Sequence, residues 1–198
     1  MTRDPVLILA SASPRRCELL QQIGIVYRQQ AADVDETPRA GEAAADFVTR
    51  VALDKARAVR ASAGATELPV LGADTAVVVA GRILGKPRDA DDAATMLRLL
   101  AGRCHEVLSA VALVAGQQEE VRSSRTLVWF RSLSNGDIQA YLETGETTDK
   151  AGAYAVQGLG AVFIERLEGS YSGVMGLPLF ETASLLQKFG INVLGSNS

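Results

Sequence analysis

The stretch Val6-Leu7-Ile8-Leu9-Ala10-Ser11-Ala12-Ser13-Pro14-Arg15-Arg16-Cys17-Glu18-Leu19-Leu20 decides how the rest of the chain is read. Five apolar residues in succession are too few for a helix or a membrane span and predict a buried strand. Small hydroxylated residues then break the run. Ser13 is placed to cap a helix, and Pro14 suits its first position. Cys17, Leu20 and Ile23 share one face of that helix, and Gly24 stands where a helix-ending glycine belongs. The unit is a strand, a tight loop and a helix N-terminus that carries Arg15 and Arg16. Free amides and the positive end of the helix dipole favour an anion there, and guanidinium forks match phosphate or carboxylate. From this stretch alone, an ordinary strand–helix unit with a solvated arginine pair reads equally well.

Residues 25–31 predict a short second strand that runs into an acidic loop, Asp33-Val34-Asp35-Glu36-Thr37-Pro38. Its carboxylates suit a hard, oxygen-seeking cation such as Mg²⁺, or simply a solvated turn. Residues 42–62 predict a long helix with Phe47, Val48, Val51, Ala52 and Val59 on its apolar stripe. Lys55 falls on that stripe. Its ammonium either snorkels to the rim of the core or enters a phosphate pocket as a fixed charge. Residues 68–79 form an apolar, β-branched run interrupted only at Asp74. A bare carboxylate inside such a strand costs several kcal/mol unless it is paired, hydrogen-bonded or metal-bound. Asp74 therefore reads as functional before it reads as a structural ion pair. Gly72 beside it admits the close approach of a ligand or another backbone.

Ala80-Gly81 predicts a turn into Arg82-Ile83-Leu84, followed by Gly85-Lys86-Pro87. Residues 81–86 imitate a phosphate-binding P-loop, but the glycines are one residue too close and Pro87 replaces the Ser/Thr. Lys86 is still well held between Gly and Pro. A helix over 89–100 (Ala93, Met96, Leu97 and Leu100 inward, Asp89 or Asp91 at the cap) precedes two long strands, 107–115 and 121–130, around Gly116. Ser134 caps a helix to about Glu143, a loop rich in small residues spans 149–160, a last strand covers 161–167, and Pro178 begins a helix ended by Gly190. No repeat or linker divides the chain. The prediction is one α/β domain over 1–198, with a mixed sheet and two lobes around a cleft.

Composition excludes several classes. The net charge is −3 with a pI near 5.3, which argues against nucleic acid held by bulk electrostatics. One histidine and two cysteines leave little for a zinc site. His105 has no G-x-S-x-G elbow to partner it. No apolar run reaches membrane-spanning length, no signal-peptide core is visible, and Cys17 and Cys104 form no CxxC pair. A soluble cytoplasmic protein with reduced thiols is expected, with no membrane or nucleic-acid partner.

The residues that break local pattern are Ser11, Ser13, Arg15, Arg16, Glu36, Lys55, Asp74, Lys86 and Gln157. Four cations and two carboxylates around a helix N-terminus suit a Mg²⁺–polyphosphate ligand and match a carbohydrate or peptide poorly. In order and spacing, seven motifs resemble the Maf family of nucleoside triphosphate pyrophosphatases, historically linked to inhibition of septum formation. They are Ser11-x-Ser13-Pro14-Arg15-Arg16, Val34-Asp35-Glu36, Ala52-Leu53-Asp54-Lys55-Ala56, Gly72-Ala73-Asp74-Thr75, Gly85-Lys86-Pro87, Asp149-Lys150-Ala151-Gly152 and Gly169-Ser170-Tyr171. The likeness runs from Val6 to about Gly190.

The resemblance implies a fold like that of inosine triphosphate pyrophosphatases, a long twisted mixed sheet with flanking helices and a cleft between two lobes, usually in a homodimer. It implies hydrolysis of a nucleoside triphosphate to the monophosphate and pyrophosphate with Mg²⁺ or Mn²⁺, a house-cleaning reaction on the nucleotide pool. Asp74 is then the general base and a metal ligand, and Glu36 a metal-binding carboxylate. Lys55 and Lys86 neutralise the phosphates, together with Arg15 and the amides around Ser11 and Ser13. Arg16, Thr75 and Gln157 match the subgroup acting on dTTP and UTP. The alternatives are the sister subgroup acting on 7-methyl-GTP, or a non-catalytic regulator of cell division. Asp33-Val34-Asp35-Glu36-Thr37 and Glu165-Arg166-Leu167-Glu168-Gly169 are phrased as in the sister subgroup, and Ala155-Val156-Gln157 replaces the more usual Gly-Ile-Gln.

Overall fold

Every side chain of strand β1 (Leu7–Ala10) is buried, as its unbroken apolar run requires of a strand covered on both faces. The computed structural model describes residues 4–64 and 67–194. After β1 come α1 (Pro14–Gln22), β2 (Tyr27–Gln29), α2 (Ala44–Ser62), β3 (Val70–Val79), β4 (Arg82–Leu84), α3 (Ala90–Leu100), β5 (Cys104–Ala115) and β6 (Gln118–Phe130). The chain continues through α4 (Asn135–Glu143), β7 (Ile164–Glu168), α5 (Tyr171–Met175) and α6 (Leu179–Lys188). The strands form one mixed sheet in the order β2-β1-β3-β5-β6-β7, with β4 also on β3. β1 runs parallel to β2 and β3, and all other pairings are antiparallel.

The period of two along the strands separates the core into faces. Ile8, Ala10, Val70, Ala76, Ala110 and Ala112 meet α2 through Phe47, Val48, Val51, Ala52 and Val59. On the opposite face Leu7, Leu9, Leu71, Ala73, Val111 and Leu113 meet Leu19 and Leu20 of α1 and Leu185 and Leu186 of α6. A third cluster lies further along the same strands. There Val77, Val79, Val107, Val128 and Phe130 pack with Leu97 and Leu100 of α3 and Ile138 and Tyr141 of α4. The predicted mixed sheet and two lobes are present, sharing β3, β5 and β6. Asp74 and Thr75 fall where β3 passes from one lobe to the other.

Register places a gap at the same point. On one edge of β3, β1 pairs as far as Gly72 and β4 pairs from Val77. Among the described residues no strand lies beside 73–76 on that edge, while on the other edge β5 pairs without a break from Val70 to Val78. The gap lies beyond the carboxyl end of β1, where open α/β sheets hold their ligands.

Several boundaries differ from the sequence reading. The hairpin strands β5 and β6 are longer than predicted, and β2 is shorter. The last strand begins at Ile164, because Leu159–Phe163 forms a 3₁₀ turn that buries Phe163 against Phe130 and Tyr141. Helix α5 was not predicted; five residues capped by Ser170 carry little periodic signal. Pro178 is the residue before α6 and not its first. Glu42 lies ahead of α2 and accepts from Arg50 and from the Arg39 amide. Asp89, not Asp91, caps α3. No helix among the described residues is long and apolar enough to cross a membrane.

His105, the only histidine of the chain, is 2% exposed. It packs edge-on against Phe130 and Tyr154, with Nε2 2.8 Å from the Tyr154 hydroxyl. Nδ1 has no partner. Burial lowers its pKa to about 4, against about 6.5 in an unfolded chain. The unfolded state thus binds the extra proton first. The stability contributed by neutral His105 is complete above about pH 6.5 and is lost as pH falls towards 4, by on the order of 3 kcal/mol. Urea unfolding of wild type and His105→Gln at stepped pH checks this: the acid-side slope should flatten in the variant, and parallel slopes would refute it.

Candidate active site

Gly72 is the reason α2 can lie so close to the sheet. A Cβ at this position would come within 2.8 Å of the Ala56 backbone nitrogen and closer still to the Ala52 carbonyl oxygen. With that approach, Lys55 on the apolar stripe of α2 reaches Asp74, two residues along the same face of β3. Lys55 Nζ donates to Asp74 Oδ1 at 2.8 Å and lies 2.9 Å from Glu36 Oε2, which arrives on the acidic loop. The Lys55 and Asp74 side chains are each 8% exposed and that of Glu36 48%. Lys55 does not snorkel to the rim of the core: it lines the cleft, paired with the two carboxylates. Burial pushes the Asp74 carboxyl above its ordinary value, opposed by the charges of Lys55 and Arg16. A carboxylate so placed is a better proton acceptor than a solvated one.

The loop after β1 forms the wall beside this floor. The Ser13 side chain makes no cap bond to α1, and the Ser13 amide instead donates to Ser11 Oγ. Ser11 Oγ also accepts from Arg16 Nη1, while Arg16 Nε donates to the Gly176 carbonyl. Burial lowers the Arg16 pKa, opposed by Asp74 and Glu36. Arg15 reaches across to the Asp149 carbonyl. Ser11, Ser13, Arg15, Arg16, Glu36, Lys55, Asp74, Thr75, Lys86 and Gln157 all line one cleft of about 1050 Å³. None of the residues singled out from sequence lies elsewhere.

The opposite wall is the 149–160 loop. Asp149, Gly152 and Ala153 all have φ between 61° and 72°, which is costly for the two that are not glycine. The Gly152 amide donates to the Gly85 carbonyl, which joins this loop to the turn carrying Lys86. Lys86 and Gln157 are exposed on the cleft.

Two residues escaped the sequence reading. Lys150 lines the cleft, and burial lowers its pKa, with Arg15 adding to the effect; its motif was visible but its side chain was not singled out. Ser109, 1% exposed, lies on β5 beneath Thr75. Its hydroxyl donates to the Gly173 carbonyl at 2.6 Å and lies 2.9 Å from Thr75 Oγ1. One hydroxyl has one proton, so Thr75 donates to Ser109 and keeps acceptor capacity for the cleft. A serine within an apolar strand gives no sign of that from sequence.

Among the described residues, no three His, Cys, Asp or Glu side chains gather as a metal cage. Asp74 and Glu36 nevertheless converge on one cationic point. Mg²⁺ is commonly held by one or two carboxylates, with waters and substrate phosphates completing its shell. The pair fits an ion that arrives with a phosphate ligand.

A cation-rich cleft over a buried carboxylate, at the open end of a mixed sheet, defines an α/β protein equipped for a phosphorylated ligand. The chain belongs to the Maf family: the model of the Maf-like protein matches residues 6–189. A dTTP/UTP pyrophosphatase of Hahella chejuensis (strain KCTC 2396) is 53% identical over 188 residues, covering 94% of each chain. One from Methylobacillus flagellatus is 50% identical over 196 residues, covering 99% of this chain and 97% of its own. Among solved structures, a nucleoside-triphosphatase (dITP/XTP pyrophosphatase) from Mycobacterium abscessus matches 92% of this chain at 19% identity with a TM-score of 0.44.

Gly72→Ala tests the close approach. Its methyl group meets backbone on both sides, so α2 has to move away and Lys55 leaves Asp74. A loss of roughly 1–3 kcal/mol in unfolding free energy, with activity falling further than stability does, is the expected outcome. Unchanged stability would show that α2 does not depend on Gly72.

Proposed function

We propose that this protein hydrolyses dTTP and UTP to the nucleoside monophosphate and pyrophosphate, clearing these nucleotides from the pool. The carrying observation is the Asp74–Lys55–Glu36 trio at the floor of a cleft whose walls bear Arg15, Lys86 and Lys150. The names of the relatives at about half identity support the same substrates. The reading places the protein in the cytoplasm as a homodimer acting on a free nucleotide, with no part for nucleic acid or membrane, in keeping with the net charge of −3.

In this mechanism Asp74 holds a water and takes its proton as the water oxygen bonds to phosphorus. The α–β bridging P–O bond breaks, and pyrophosphate leaves with the electron pair. Lys55 keeps Asp74 in place and offsets its charge. Lys86, Arg15, Lys150 and the uncapped amides of α1 offset the phosphates, so that catalysis is mainly alignment and charge stabilisation. Glu36 and Asp74 would hold a divalent cation, Mg²⁺ or Mn²⁺, which supplies further charge neutralisation when bound.

Uracil and thymine present an N3–H between two carbonyl oxygens. The Gln157 amide accepts from N3–H and donates to one of them. Arg16 Nη2, which has no hydrogen-bond partner among the described residues, is available to the other. Guanine offers adjacent N1–H and N2 donors and leaves one pair mismatched, a loss of roughly 1–3 kcal/mol if buried. The thymine methyl is weakly discriminated.

Pyrophosphate release from UTP, dTTP, CTP, GTP and 7-methyl-GTP tests the substrate reading. UTP and dTTP should have the highest kcat/KM; a preference for 7-methyl-GTP, or no release from any, would overturn it. Asp74→Asn should fold and lose about 10²–10⁴-fold in turnover. In wild type, kcat/KM should rise with pH as Asp74 loses its proton, and the rise should be absent from the residual activity of Asp74→Asn.

The metal reading has its own check. Activity should vanish in a chelator and return with Mg²⁺ or Mn²⁺, and Glu36→Gln should raise the metal concentration for half-activation. An unchanged requirement in Glu36→Gln would remove Glu36 from the ligand set.

A further inference from the structure

Gln157 stands on a stretch of backbone that two side chains hold on either side of it. The Ala155 amide, two residues before, donates to the Tyr141 hydroxyl at 3.0 Å. The Leu159 amide, two residues after, donates to Glu146 Oε1 at 3.0 Å. The two anchors are themselves joined, because the Tyr141 hydroxyl donates its proton to Glu146 Oε2 at 3.2 Å. The phenol accepts the Ala155 amide and gives its proton to the carboxylate, whose other oxygen takes the Leu159 amide. Burial raises the Tyr141 pKa, which keeps that proton in place.

The glycines flanking Leu159 are what let this closed arrangement form. A Cβ on Gly160 would fall 2.7 Å from the Tyr141 hydroxyl, and one on Gly158 would fall 2.7 Å from Glu146 Oε1. Tyr154, next to the first anchored amide, is fixed in turn by His105. The backbone on both sides of Gln157 is therefore fixed while its own side chain, exposed on the cleft, makes no hydrogen bond among the described residues. That is the state of a group kept ready for an external partner.

We propose that Tyr141 and Glu146 are positioning residues for base selection, which clamp the 155–159 backbone so that the Gln157 amide stands at a set place and angle in the cleft. The inference rests on the reading of Gln157 as the residue that faces the base. Neither side chain lines the cleft, so their effect is on discrimination and not on the phosphate chemistry. A glutamine free to wander can meet either edge of several bases, whereas a held one rewards only the matching edge.

The test uses the full chain as wild type, Tyr141→Phe, Glu146→Ala, Glu146→Gln and Gln157→Ala. It measures kcat/KM for UTP, dTTP and GTP, thermal midpoints, and exchange of the Ala155 and Leu159 amide hydrogens. Tyr141→Phe and Glu146→Ala should lower kcat/KM on UTP and dTTP by roughly tenfold or more, leave GTP within about twofold, and approach the selectivity of Gln157→Ala. Glu146→Gln keeps an acceptor for the Leu159 amide and should retain most of the preference. Exchange should quicken at Ala155 in Tyr141→Phe and at Leu159 in Glu146→Ala. An equal fall on all three nucleotides, or an unchanged UTP-to-GTP ratio, overturns the clamp even where exchange quickens. A wild type without pyrimidine preference overturns the substrate reading instead, and unaltered exchange in the variants then overturns the clamp as well. If Tyr141→Phe does not fold, the contrast between Glu146→Ala and Glu146→Gln decides.

Discussion

One ammonium group shared by two carboxylates organises this molecule. Lys55 and Asp74 are both inside the protein, where two charges taken from water repay their desolvation only if the geometry is close. At 2.8 Å it is close, and removing either partner would strand the other, typically at a cost of about 3–5 kcal/mol. Glu36 brings a second carboxylate to the same ammonium from a more exposed loop. The trio carries one net negative charge, inside a cleft whose other charged side chains are Arg15, Arg16, Lys86, Lys150 and Asp149. Much else is required to make that possible: a glycine under α2, a lysine on an apolar stripe, and an acidic loop long enough to fold back over the helix.

The break in pairing along β3 gives the trio somewhere to act. A continuous sheet would have covered residues 73–76 with another strand and sealed Asp74 inside. Because β1 stops and β4 starts later, the strand edge between them opens onto the cleft. The loop after β1 and the turn after β4 become its rims. The antiparallel partner β5 continues beneath without interruption, so the opening leaves the rest of the ladder intact.

The parts of this arrangement visible in the sequence were those in which one residue violates its surroundings. Asp74 in a β-branched strand, Lys55 on an apolar helix face and Lys86 between Gly and Pro each contradict a local pattern, and each lines the cleft. The order of elements was legible for the same reason, since long periodic runs dominate it. The sequence could not show interactions between distant groups whose residue types are ordinary where they stand. Ser109 is unremarkable in β5 until Gly173 and Thr75 are brought to it. Tyr141 reads as a core residue of α4 and Glu146 as a surface acid, and only the fold joins them through a loop a dozen residues on. Helix α5 and the 3₁₀ turn before β7 are too short for periodicity to register, and depend on Ser170 and Phe163 finding their places.

The two lobes are joined by β3, β5 and β6, strands of 10, 12 and 13 residues that pass without a break from one to the other. Hinged enzymes close about a few loop residues that absorb large backbone rotations. This sheet offers no such pivot where the strands cross. A change in cleft width has to be spread over many hydrogen-bonded residues as a change of twist, so the jaws behave as the two ends of one leaf spring. Their resting separation is then a property of strand length and coiling, and a side chain that alters the sheet's twist alters the width of the cleft.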